Sequence, residues 1–212
     1  MALATRLSST IIPKASEGVS DFQDSSVLFS AFETVPEKTL FLMPYVDDLE
    51  SQADAEQPFS ADERDGLEAV ARYMTQADYA PALVLAARTA RAREATEVLS
   101  PRLLREPAVF LERTVHYAQG TDLIERLRCI SNFIPSVLLI AGRRALAELA
   151  QRLSRGYGPY GARAARQRMI HDFPEGSLAA ISLAIESWGA VAPKSGLLRA
   201  YVRPADLRPR DH

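Results

Sequence analysis

The sequence predicts an all-α fold, a multi-helix single domain carrying an extended acidic N-terminal arm. Three observations lead there. From Ser60 onward the apolar residues recur at helical spacing, in segments dominated by the helix formers Ala, Leu and Arg. Prolines at 81, 101, 107, 135 and 174 stand where helices would begin or break. Charge is divided along the chain: residues 1–70 carry a net of −10 and residues 71–212 a net of +8, within a total of −2.

The segments follow in order. Residues 1–60 read as arm and linker. They hold two short apolar blocks, VLFSAF at 27–32 and TLFLMPYV at 39–46, which either pair as a hairpin or serve as hooks that dock on a neighbour. The polar stretch 47–58 reads as a linker. A helical core domain spans 61–192. Ser60 and Glu63 form a capping box that opens a helix over 61–76. Further helices are expected from Pro81 to Leu99, from Ser100 to Ala118 with a break at Pro107, from Thr121 to Phe133, from Pro135 to Arg155, over 162–173, and over 177–190. RGYGPYG at 155–161 is a loop, and 193–212 is a basic, flexible C-terminal tail.

Composition excludes several classes. The single Cys129 among 212 residues rules out an intramolecular disulfide and a multi-cysteine zinc site, in keeping with a reducing, cytoplasmic compartment. The longest apolar run, within 135–142, is far shorter than the roughly 18 residues that span a bilayer, so no membrane partner is expected. RGYGPYG lacks the Gly-Lys-Ser/Thr ending of a nucleotide loop, and no HExxH or Gly-x-Ser-x-Gly occurs. His116, His171 and His212 are too scattered for a metal cluster; Cys129 reads as a buried thiol and His171 as a helix-end residue. The expectation is a protein without metal, cofactor or catalytic residue, and no enzyme.

One constellation remains. Arg126, Arg128, Arg143, Arg144, Arg152, Arg155, Arg163, Arg166 and Arg168 fall within 43 positions that contain one acid, Glu148, with Tyr157 and Tyr160 set among them. Guanidinium groups neutralise phosphates without reading sequence, and tyrosines offer bases a stacking surface. The expected function is the coating of single-stranded RNA, with self-association through the acidic arm. The alternative is a helical adaptor or assembly subunit whose basic face meets an acidic protein.

Three stretches carry a resemblance. RYMTQADYAPALVLA (72–86), DLIERLRCISNFIP (122–135) and RMIHDF (168–173) resemble segments of the helical RNA-coating nucleoproteins of phlebovirus type, whose fold is similar to that of filamentous virus coat proteins. The resemblance implies encapsidation of RNA in a basic cleft, polymerisation by an N-terminal arm, a virion location, and RNA contacts by the arginines at 126, 128 and 168.

Overall fold

Continuous buried runs of apolar residues, not helical stripes, organise the chain. The computed structural model describes residues 37–45, 57–155 and 160–208, side chains at 160–162 excepted. Six segments are strands, of which β2 and β4 are buried throughout and β3 is largely exposed: β1 (Glu37–Tyr45), β2 (Leu83–Ala87), β3 (Ala108–Glu112), β4 (Ser136–Gly142), β5 (Leu178–Ala184) and β6 (Gly196–Val202). They form one sheet in the order β3, β2, β4, β1, β5, β6. β1, β2 and β3 run parallel to their neighbours around β4, while β5 is antiparallel to β1 and β6 to β5.

All seven residues of β4 are buried. Successive side chains on a strand point to opposite faces, so both faces of the sheet must be covered. The cover comes from α1 (Ala61–Gln76), α2 (Ala90–Leu99), α4 (Gly120–Arg128), α5 (Arg143–Leu153) and α6 (Tyr160–His171), with the single turn α3 (Arg113–His116) following β3. Right-handed crossovers place α1 and α2 on one face, because β1 to β2 and β2 to β3 move the same way across the sheet. The return from β3 to β4 places α4 on the other. The packing agrees: α1 meets α2, and α4 meets α5.

Local chemistry sets the boundaries. The Ser60–Glu63 capping box starts α1 as the sequence predicts. The Thr89 hydroxyl accepts the Ala92 N–H at 3.2 Å and starts α2 two residues after β2 ends. At the amino end of β1 the buried Lys38 donates to the carbonyls of Asn132 and Ile134, at 2.6 and 3.3 Å. Trp188, fully buried, donates its indole N–H to the same Ile134 carbonyl at 2.8 Å. These bonds fasten the loop that feeds β4.

The expectation of an all-α fold is therefore corrected to an α/β fold. The apolar runs at 83–87, 136–142 and 178–184 read as helix because a strand buried on both faces has no alternation to distinguish it. β1 arises inside the stretch read as arm and linker, and β6 inside the stretch read as tail. Residues 1–36 and 46–56, including VLFSAF, lie outside the described residues, as do 156–159 of the glycine loop. Among the described residues no helix is long and apolar enough to cross a membrane.

Gly196, the first residue of β6, tests the packing of the antiparallel hairpin. A Cβ there would lie 2.6 Å from Ile181 Cγ2 and 3.2 Å from Leu183 Cδ2. Gly196→Ala should destabilise the protein by about 1–3 kcal/mol through overpacking, read as a lowered thermal midpoint. An unchanged midpoint would show that β5 and β6 separate freely.

Candidate functional site

In an open sheet of parallel strands, ligands bind beyond the carboxyl ends of the strands, where successive crossovers depart in opposite directions. That point lies between β1 and β4. The chain leaves β1 toward β2 and β3, and leaves β4 toward β5 on the opposite side. The register pairs Tyr45 with Gly142 there, so these two residues end the central strands side by side.

Tyr45 is buried, and its phenol needs a partner. It finds one in His116 at the end of α3, with Tyr45 Oη 2.8 Å from Nδ1. Tyr117 meets the same imidazole edge-on, at a centroid distance of 4.5 Å. The bond fixes the ring and links its tautomer to the phenol. When Nδ1–H donates to Tyr45, Nε2 keeps its lone pair; when the phenol donates, Nε2 carries the proton.

Gly142 is also the N-cap of α5 and offers no side-chain acceptor. The first N–H groups of an eleven-residue helix thus open beside Tyr45, with Arg143 and Arg144 exposed in the first turn. Backbone donors, the positive helix end and guanidinium groups together favour an anion.

Two ion-pair systems lie at a strand end and at a helix start. At the carboxyl end of β3, Glu112 accepts from Arg126 Nε at 2.8 Å and Nη2 at 2.6 Å. Those bonds hold its carboxyl below the usual carboxylate range against the opposing effect of burial, so Glu112 stays ionised and is no proton donor at neutral pH. At the start of α2, Arg91 is 8% exposed. Its Nη1 lies 2.7 Å from Glu175 and 3.3 Å from Glu63, and its guanidinium sits 4.9 Å from the Phe59 ring centre. Burial works against the charge of Arg91, and Glu175 followed by Glu63 more than offsets it. Glu175 belongs to the loop between α6 and β5. The next residue, Gly176, has φ +71° and donates its N–H to the Pro44 carbonyl at 3.0 Å, which ties that loop to the end of β1.

A separate groove of about 530 Å³ lies between α1 and α2. Its walls largely neutralise each other, Arg64 with Glu94 and Arg102 with Glu68. Neither Tyr45 nor His116 lines it.

The arginines singled out by the sequence are spread over α4, α5, the loop after α5, and α6. Arg126 is held by Glu112; Arg128 donates to the Val191 carbonyl and to Glu125; Arg152 pairs with Glu148; Arg155 donates to the Lys194 carbonyl; Arg168 pairs with Asp206 and lies over Tyr201. Arg143 and Arg144 open α5, whereas Arg152 closes it, about 12 Å farther along the axis. Arg163 and Arg166 lie on α6, the first exposed and the second half-buried. Tyr157 lies outside the described residues, and Tyr160 begins α6 with its side chain outside them. Cys129, read as buried, is exposed. No group of His, Cys, Asp and Glu among the described residues could hold a metal ion.

Sequence reasoning missed Tyr45, His116, Arg91, Glu175 and the double role of Gly142. The available signal was the run SVLLIAG directly before the amphipathic RRALAELAQRL, a strand-to-helix junction at a glycine.

Comparison with known proteins corrects the functional expectations. No family model matches the chain, and no curated protein is significantly similar to it. Solved structures are similar in fold. The putative phosphohistidine phosphatase SixA from Nakamurella multipartitia has a TM-score of 0.65 at 17% identity, over 79% of this chain and 96% of that one. The protein histidine phosphatase SixA complexed with tungstate gives 0.61 at 18%, over 80% and 99%. The putative SixA from Agrobacterium tumefaciens gives 0.59 at 14%, over 79% and 98%. At these identities the likeness shows the fold, an α/β fold that these phosphatases share. It overturns the resemblance to viral nucleoproteins and coat proteins. With it go the RNA-coating and adaptor functions, the single-stranded RNA partner, the arm-driven polymer, the virion location, and the expectation of no enzymatic role. Arg126, Arg128, Arg152, Arg155 and Arg168 are each bonded to acceptors of the chain itself.

The Glu112–Arg126 pair predicts a pH dependence. A carboxyl depressed in the folded state adds stability above its unfolded value, about 4.3, and loses it as pH falls through the folded value. Arg126→Gln should therefore be less stable than wild type at pH 7, with the gap in urea midpoint closing between pH 5 and pH 3. A gap that holds across this range would contradict the assignment.

Proposed function

We propose that this protein hydrolyses phosphate monoesters or phosphoramidates at the crevice between β1 and β4, with His116 as the proton-transferring group. The observation that carries this reading is the Tyr45–His116 bond of 2.8 Å at the place where the fold directs ligands. The phosphatases that share the fold add support. The phosphoryl oxygens lie against the first N–H groups of α5, aided by the charges of Arg143 and Arg144.

In the active tautomer Nδ1–H donates to Tyr45, and the lone pair of Nε2 accepts a proton from water. The water oxygen bonds to phosphorus as the bond to the leaving oxygen or nitrogen breaks. The proton on Nε2 then passes to the leaving atom, which restores the neutral ring. Glu112 takes no part as an acid, because Arg126 keeps it ionised. Tyr45 acts through His116 by holding its orientation.

Phosphate release from p-nitrophenyl phosphate and from a phosphohistidine peptide tests this. His116→Ala should lower kcat by about 10²–10⁴, the usual worth of a positioned acid–base group, and tungstate should inhibit the wild type. Tyr45→Phe should lower kcat less and leave KM nearly unchanged. Wild-type release equal to that of His116→Ala, without inhibition by tungstate, would refute the proposal.

A further inference from the structure

The sheet has two edge strands, and they differ in how they meet solvent. An edge presents unpaired N–H and C=O groups that another strand can bond, and proteins block it with charge, bulges or covering chain. β6 carries the exposed Arg199, pairs with β5 through a register shift at Ala180 and Ile181, packs against α6, and gives its Gly196 carbonyl to the Arg155 N–H at 2.9 Å. Among the described residues β3 has no such defence. It is uncharged from Ala108 to Leu111, pairs with β2 alone, and leaves Val109 42% and Phe110 56% exposed.

The bonds to β2 fix which groups stay open. Ala108 donates to the Ala82 carbonyl at 3.1 Å, and the Glu112 carbonyl accepts from Arg88 at 3.2 Å. Backbone groups alternate in direction along a strand, so Phe110 also bonds toward β2, while Val109 and Leu111 turn their N–H and C=O outward. An antiparallel copy of the same strand matches them. With Phe110 opposite Phe110 of the second copy, Val109 of each exchanges both bonds with Leu111 of the other. Sliding the copy by two residues one way would set the Leu111 carbonyl against Pro107, which has no N–H; the other way would set Val109 against Arg113, where α3 has begun. The flanks agree: Glu106 and Arg113 bracket β3, both exposed, and the antiparallel copy brings Arg113 of each toward Glu106 of the other, where a parallel copy would set like beside like. Of the other charges nearby, Glu112 is held by Arg126, and Arg105 lies one residue farther out than Glu106.

We propose that this protein associates through β3 with a second copy of itself, antiparallel about a two-fold axis at Phe110, so that one sheet runs through both molecules. The contact lies on the body of the fold and not on the N-terminal segment, and it is independent of the phosphoryl-binding reading above. One five-residue strand is a small contact beside the ~1,200–2,000 Å² of standard interfaces, so the association is weak and depends on concentration.

Sedimentation velocity of the full chain, from low micromolar toward millimolar concentration, should show the mass rising from the 23.3 kDa monomer to the dimer. Over the same range, hydrogen exchange at the Val109 and Leu111 amides should slow, while that at Phe110, already bonded toward β2, should change less. Phe110→Lys, which sets like charges on the axis, should leave a monomer. Glu106→Arg should weaken the dimer by about tenfold, and adding Arg113→Glu should restore it, a rescue that a misfolded variant could not give. A monomer at every concentration, or a dimer that Phe110→Lys and Glu106→Arg leave intact, would overturn the proposal. So would Val109 and Leu111 amides already slow in the dilute monomer, since the chain's own residues would then cover the edge.

Discussion

The structure depends on one constraint, the burial of β4 on both faces between β1 and β2. Every backbone N–H and C=O of a strand in that position must pair within the sheet, since no water reaches it. Parallel pairing cannot be closed by tight turns, so each neighbour returns through a helix, and helices accumulate on both faces. The reversal of crossover direction between β1 and β4 follows from that winding. So does the crevice at Tyr45 and Gly142. The opposite end of the same strands is locked by Lys38, Asn132 and Trp188, which leaves the carboxyl end to the chemistry.

Electrostatics take a local form. Acidic groups of the first 70 residues meet arginines from the rest of the chain: Asp62 with Arg208, Glu63 with Arg91, and Glu68 with Arg102. The division of charge along the sequence thus becomes, for these residues, short-range pairing across elements. Exposed pairs of this kind contribute about 0–1 kcal/mol each and do not hold the fold together. Arg91 differs because it is buried. Its charge is held largely out of water, and the carboxylates of Glu175 and Glu63 offset that cost.

What the sequence conveyed was local. The capping box at Ser60, the span of α1 and the helix ending before Pro174 depend on neighbours within a few residues, and all three stand. The central strands did not read correctly. LVLAA and SVLLIAG show no alternation, and their Ala and Leu content suits a helix as well as a doubly buried strand. The site was illegible for a related reason. Tyr45 and His116 are 71 positions apart, and Arg91 and Glu175 are 84 apart. Only the strand order brings either pair together. Adjacency in sequence likewise says nothing about the acceptors that arginines meet, such as Glu112 and Asp206, which arrive from other elements.

The central claim is that the fold directs a phosphoryl ligand to the crevice between β1 and β4. A crystal soaked in tungstate, with the metal located by its anomalous signal, tests this most directly. The account predicts tungsten between His116 and the first turn of α5, within contact of their nitrogen donors. Tungsten in the arginine-lined groove between α1 and α2, with the crevice at the strand ends left empty, would contradict it.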